Sequence, residues 1–175
     1  MVTNLKLHIH RVKLFEVILL SLLGALMYVT QVIMAILPNI ELVSLLIILI
    51  TRKFGAKAFI SVYIFVACEI LTYGLSMWVI NYLYVWAILC LVILILKGIN
   101  SALVYALISA VFGLLFGTLC SIPYFIIGGI EMGIANIVSG IGFDITHCVG
   151  NFILTVLLYK PLTNVFEKLI KPHKN

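Results

Sequence analysis

The chain has 175 residues, 65% of them hydrophobic and only 10% charged, with a mean hydropathy of +1.30 and a net charge of +5. Soluble domains are about half apolar and a quarter charged, so this composition excludes a water-soluble globular protein and marks an integral membrane protein. At about 20 apolar residues per helical crossing of a bilayer core about 30 Å thick, the length fits roughly six spans with short connections. The expected fold is an all-α, compact six-helix transmembrane bundle forming one domain over residues 1–175, with a basic N-terminal segment (1–13) and a C-terminal tail (160–175).

The opening "MVTNLKLHIHRVKLFEV" places basic residues before an apolar run, as a signal peptide does, but the run continues past Ala35 without a clear small-residue cleavage site. It reads as a retained first helix. Six spans are predicted: Leu14 to Leu37, Ile40 to Ile50, Gly55 to Val79, Tyr82 to Leu96, Ala102 to Tyr124, and Ile134 to Tyr159. The second is short for a crossing. It must tilt little, borrow flanking residues, or lie inside the bundle, where the bilayer does not set its length. Between spans one and two, Pro38 ends the first helix and Asn39 is placed to cap the second.

Lys and Arg gather in short cytoplasmic loops, and here they set an orientation. Lys6, Arg11 and Lys13 precede span one; Arg52, Lys53 and Lys57 follow span two; Lys97 follows span four; Lys160, Lys168, Lys171 and Lys174 follow span six. Both termini are therefore predicted to face the cytoplasm, with the connections around Asn39, Asn81 and Glu131 outside. The basic flanks suit anionic lipid headgroups better than nucleic acid. His8, His10 and His173 lie in those flanks with no metal-ligand spacing, and Cys68, Cys90, Cys120 and Cys148 sit singly in different apolar segments, as buried thiols do. No metal site and no cofactor is expected.

An ionisable group near the bilayer centre costs roughly 2.5–3.5 kcal/mol, so Glu69, Asp144 and His147 each need a partner or an aqueous cavity. Glu69 lies about 18 Å along its helix from Lys57, just outside the midplane. In "GFDITHCVGN", Asp144, His147 and Asn151 fall at i, i+3 and i+7, one helical face directed into the bundle. Two readings stand for Asp144 and His147: a local pair holding the helix in register, or part of a binding site. A catalytic dyad would need a nucleophile or a metal ligand, and no GxSxG, HExxH or Cys/His pattern supplies one.

Tyr73, Trp78, Tyr82, Tyr84 and Trp86 cluster in "YGLSMWVINYLYVW". They form an interfacial belt, or one or two of them, Trp78 or Tyr82 with Trp86 one turn further on, stack on a flat ligand. Ser21-xxx-Ala25 and Gly113-xxx-Gly117 are small-xxx-small patterns that let helices approach. The second is explained by packing inside the bundle, whereas the first fits either internal packing or a seat for another membrane protein. No phosphate-binding loop and no inverted repeat is evident, so energy for any solute accumulation is expected to come from a partner.

The six-span N-in/C-in layout, the span-one small pair, and the strings "LPNIELVSLLIIL", "YG(x)3W(x)3YLYVW", "GLLFG(x)5P" and "SGIGFDITHCVGNF" together resemble the S components of energy-coupling factor vitamin transporters, over about Leu14 to Tyr159. The resemblance implies a non-enzymatic subunit of a bacterial plasma membrane that captures a vitamin from outside, closed by the first outward loop. It implies a scaffold membrane subunit and two cytoplasmic ATPases as partners, and release of substrate inward by toppling in the membrane. The family's span-one Ala-xxx-Ala motif, which meets the scaffold, would correspond to Ser21 and Ala25, with Ser in place of the first Ala.

The predicted outward half holds Glu41, Glu69, Glu131 and Asp144 but neither Lys nor Arg, which disfavours an anionic substrate and favours a neutral or cationic heterocycle held by ring stacking and carboxylates. Among family substrates this points to vitamin B6 or related pyridine and pyrimidine compounds, with thiamine and cobalamin as alternatives. The expected substrate-binding set is Asn39, Glu41, Glu69, Trp78, Tyr82, Trp86, Asp144, His147 and Asn151. A small intramembrane enzyme using Asp144 and His147, and a purely structural membrane partner, are the competing classes.

Overall fold

A computed structural model describes residues 13–37, 40–96 and 98–170. Asn39 lies outside the described residues, as do Pro38, Lys97 and the histidines and basic residues of the two extreme ends. The described secondary structure is helical: α1 (Leu14–Met34), α2 (Val43–Phe54), α3 (Ala58–Tyr73), α4 (Met77–Ile95), α5 (Ala102–Cys120) and α6 (Ile122–Ile170), with a 3-10 turn, Gly55–Lys57, between α2 and α3. Five stretches are long and apolar enough to cross a membrane, α2 and α3 counting together as Val43–Tyr73. The chain is thus all-α and multi-pass in character.

Side-chain pairings set the helix directions. Lys57 with Glu16 (2.7 Å), Ser61 with the Leu20 carbonyl (2.7 Å) and Glu69 with Gln31 (2.9 Å) rise together along α1 and α3, which are parallel. Glu41 with His147, Ser44 with Asn151 and Arg52 with Tyr159 rise together along α2 and α6. By contrast, Tyr73 meets Trp78 while Phe65 meets Trp86, so α3 and α4 are antiparallel. Asn81 meets Cys120 while Trp86 meets Phe112, and Gly117 meets Asp144 while Ser109 meets Asn151, which makes α5 antiparallel to both α4 and α6. It follows that α2 and α3 run in opposite directions and the chain reverses at Gly55, whose φ of 61° suits a residue without a Cβ. One end of the bundle gathers Arg52, Lys53 and Lys57; the other gathers Gln31, Glu41, Glu69 and Asp144.

The centre of the bundle is α2. At 12 residues it is about 18 Å long, and Val43 through Thr51 are all buried. A helix that is apolar all round belongs inside other helices. Of the explanations open for the short second segment, burial in the bundle is the one the structure adopts. Its first helical residue is Val43, three beyond the predicted start, and the carboxylate of Glu41 serves the first turn by accepting from Ser44 N–H.

Two predicted connections move. The α3 helix stops at Gly74 (φ 72°), and α4 starts at Met77 after an extended Ser76, so the predicted run to Val79 is cut short. Consequently Asn81 is not in an outward loop. It sits inside α4, 3% exposed, and donates to the Cys120 carbonyl at 3.1 Å. The intervening "YGLSMWVI" stays apolar, so hydropathy continues across a break that a glycine makes. Similarly, the turn expected around Glu131 is made at Gly129 (φ 72°), which leaves Glu131 exposed in the first turn of the long second part of α6. Residues 122–128 and 130–136 form a helical hairpin, with Phe125 lying against Gly133 and Asn136 donating to Ser121 at 2.8 Å.

Small residues act as foreseen between α5 and α6, where a Cβ on Gly113 would come within 2.9 Å of the His147 carbonyl group. On α1 the close approach belongs to Gly24. A Cβ there would lie 2.5 Å from the Ser61 carbonyl oxygen, whereas Ser21 and Ala25 are half-buried at the margin of the exposed face carrying Leu22, Leu26 and Val29.

Candidate functional site

Polar side chains from five helices, α1, α2, α3, α4 and α6, meet at the acidic end. Glu41, in the last extended turn before α2, holds Ser44 through both its backbone N–H and its hydroxyl (2.7 Å) and pairs with His147 Nε2 of α6 at 3.0 Å. One turn further along α6, Asn151 donates to Ser44 Oγ and to the Ser109 carbonyl, both at 3.2 Å. This ladder ties α2, α5 and α6 together. Asp144 does not pair with His147: its Oδ1 accepts from Gly117 N–H at 2.8 Å, and a Cβ on Gly117 would fall 2.5 Å from Oδ2. Glycine at 117 therefore makes room for a carboxylate as well as for a neighbouring helix.

On the opposite wall, Gln31 of α1 donates to Glu69 at 2.9 Å and reaches the Tyr82 hydroxyl at 3.4 Å. Aromatic rings line up along α4, with Trp78 to Tyr82 at 5.4 Å and Tyr82 to Trp86 at 5.3 Å between centroids, both edge-to-face. Phe116 of α5 joins them, 5.3 Å from Trp86 and 4.9 Å from His147. A spacing of four residues on one helix stacks the α4 rings on one face, and that face looks inward except at Trp78, which is 40% exposed.

Between these walls lie two adjoining cavities that share Tyr82, Phe116 and His147. The first, about 200 Å³, is bounded by Gln31, Glu41, Trp86 and the apolar residues around Met34 and Leu37. The second, about 310 Å³, is bounded by Trp78, Asn81, Tyr124, Asn136, Phe143 and Asp144. Trp86 Nε1 and Glu69 Oε2 are buried beside them without hydrogen-bond partners. Neither lining contains a Lys or an Arg. A further cavity of about 380 Å³ between α4 and α5 is walled by aliphatic side chains and Phe112 alone, which suits lipid tails and not a polar solute.

Of the residues singled out in the sequence, Glu41, Trp78, Tyr82, Trp86, Asp144 and His147 line the two cavities. Glu69 touches the first only through Gln31, and Asn151 lies one turn below it as a tie between helices. Sequence reasoning missed Gln31, Phe116 and Asn136. The i to i+4 spacing of Phe112 and Phe116 on a glycine-bearing helix was a readable hint of the second; Gln31 was the one amide inside the first apolar span and deserved the weight given to Glu69. Among the described residues no three His, Cys, Asp or Glu side chains gather to hold a metal ion, and the four cysteines are unpaired.

Compared with models of known families, with curated proteins and with solved structures, the chain matches none.

Proposed function

We propose that this chain is the substrate-capturing subunit of a vitamin uptake system of the energy-coupling factor type. In this reading it crosses the bacterial plasma membrane six times, with both termini and the basic end of the bundle in the cytoplasm and the acidic end outside. It takes up a small vitamin, delivers it inward by toppling, and relies on a scaffold membrane subunit and two cytoplasmic ATPases for energy; it is not itself an enzyme. The favoured substrate is vitamin B6 or a related pyridine or pyrimidine compound.

The observation that carries this reading is the pair of adjoining cavities at the end opposite the basic residues, walled by stacked rings and carboxylates. Such a mix of apolar walls and a few placed polar groups is the usual make-up of a small-molecule site. Alternating helix directions are what a six-crossing chain with both termini on one side requires. Cavities of about 200 and 310 Å³ match single- or two-ring compounds such as pyridoxine or thiamine and are far too small for a corrinoid, which ranks cobalamin last.

Thermal unfolding of the detergent-solubilised protein with a vitamin panel tests it. A ligand at 100 times its Kd stabilises the folded state by about 2.7 kcal/mol. No shift with any vitamin near 100 μM, together with no co-purifying scaffold or ATPases, sinks the proposal. Turnover of a ligand that depends on His147 would instead favour the intramembrane enzyme.

A further inference from the structure

Carboxylates at the acidic end differ in what they have left to offer. Glu41 is spent on the protein, accepting from the Ser44 backbone, the Ser44 hydroxyl and His147. Glu69, fully buried, engages Gln31 through Oε1 and leaves Oε2 unpartnered, but it lies on the wall of neither cavity and is out of a ligand's reach. Glu131 is exposed at the hairpin. Asp144 is different. It is 7% exposed and lines the larger cavity, and while Oδ1 takes the Gly117 N–H, Oδ2 receives no hydrogen bond from the described residues.

Aromatic rings dominate the surroundings of that oxygen. Several polar groups lining the cavity are engaged: Asn81 donates to the Cys120 carbonyl and accepts from Tyr84, the amide of Asn136 donates to Ser121, and the Tyr82 hydroxyl meets Gln31, whereas Trp78 Nε1 and the Tyr124 hydroxyl receive no partner from the described residues. His147 gives its Nε2 to Glu41. What remains is a set of rings from α4, α5 and α6: Trp78, Tyr82, Phe116, Tyr124 and Phe143. Ring faces attract cations, most strongly where water is displaced, and Trp is the best of them. A buried carboxylate with one hydrogen bond is costly until a positive partner completes it.

Resting on the capture reading above, we propose that the larger cavity selects an organic cation: an aromatic compound whose protonated amine or cationic ring nitrogen is held at Asp144 Oδ2 and enclosed by Trp78, Tyr82 and Phe116. Glu41 belongs to the framework that fixes His147 as the partition between the two cavities, and it does not read the ligand's charge. Neutral analogues fit the same space but leave the carboxylate uncompensated. Anions meet a carboxylate with no Lys or Arg to offset it.

Matched pairs of probes test this with the full-length protein in detergent, by calorimetry. Pyridoxamine and pyridoxine differ by an ammonium group against a hydroxyl, and thiamine differs from 4-amino-5-hydroxymethyl-2-methylpyrimidine by carrying a permanent cationic ring. The cationic member of at least one pair should bind about tenfold tighter or better. Asp144→Asn should bring that pair to within about twofold, while Glu131→Gln, at an exposed carboxylate outside both cavities, keeps the preference. Equal binding within both pairs, a preference that survives Asp144→Asn, or tighter binding of pantothenate overturns the assignment and leaves the capture reading intact. Binding of no probe at all overturns both. If Asp144→Asn does not yield a monodisperse protein, the wild-type pairs decide alone: tighter cation binding supports the proposal and parity refutes it.

Discussion

The two ends of the α2 and α6 pair use similar residues for different purposes. At the basic end, Arg52 donates to the Tyr159 hydroxyl and to Asn100 Oδ1 (2.7 Å), lies 4.7 Å from the Tyr105 ring centre, and sits beside two stacked rings, Tyr105 and Tyr159, 5.4 Å apart. Tyr105 in turn donates to the Ile99 carbonyl at 2.8 Å. Arg52 and these rings satisfy one another, beside a smaller cavity of about 130 Å³ lined by Arg52, Lys53 and Glu167. The acidic end also combines charges with rings, yet it leaves two larger cavities, an Asp144 oxygen with no hydrogen bond from the described residues, and the partnerless Trp86 Nε1 and Glu69 Oε2. Burying polar groups costs free energy wherever they remain unpaired. A cluster that is saturated acts as a clamp, and one that keeps unpaired atoms around a space has donors and acceptors still to satisfy.

Three substitutions would break or sharpen this contrast. The largest effect is expected from Gly113→Leu, because α5 and α6 approach too closely there for any side chain. Overpacking should cost about 3 kcal/mol, lowering the midpoint of thermal unfolding and removing ligand binding together. A Gly113→Leu protein of normal stability would show that α5 and α6 do not pack as described.

Next comes Arg52→Ala, which removes two charge-assisted hydrogen bonds and a cation–π contact at the basic end. A loss of about 2 kcal/mol is expected, with ligand affinity changed less than about twofold. Reduced affinity without reduced stability would mean that the clamp takes part in recognition, and the distinction between the two ends would fail. The smallest effect is predicted for Glu41→Gln. An amide oxygen still accepts from Ser44 and His147, so only charge assistance disappears, about 1 kcal/mol. Calorimetry should find ligand affinity within about threefold of the parent. A larger drop would return Glu41 to direct ligand contact.

How far the site could be read beforehand depended on the kind of signal. Asp144, His147 and Asn151 were legible as one face because helical periodicity is a local property, and Glu41 was legible because a charge in an apolar sequence demands a reason. Their partners were not legible. Asp144 and His147, a turn apart, invite pairing with each other; instead each bonds to a different helix, Asp144 to α5 and His147 to the start of α2. Trp78, Tyr82 and Trp86 do not form a uniform interfacial belt, since Trp78 reaches the surface while Trp86 is wholly buried.

By itself the sequence determined the solvent of this protein, its helical class, the segregation of basic residues to one end, and the central place available to a helix too short and too apolar to cross alone. Those follow from composition and periodicity, which act along the chain. Only the tertiary structure decided which helices are neighbours, that Gly24 and not Ser21 makes the tight α1 crossing, and that Gly117 yields its space to Asp144. It also decided which carboxylate keeps an unpartnered oxygen at a cavity wall. That last property depends on hydrogen bonds between residues far apart in the chain, such as Glu41 and His147, and no local pattern encodes which of several possible donors will arrive first within reach.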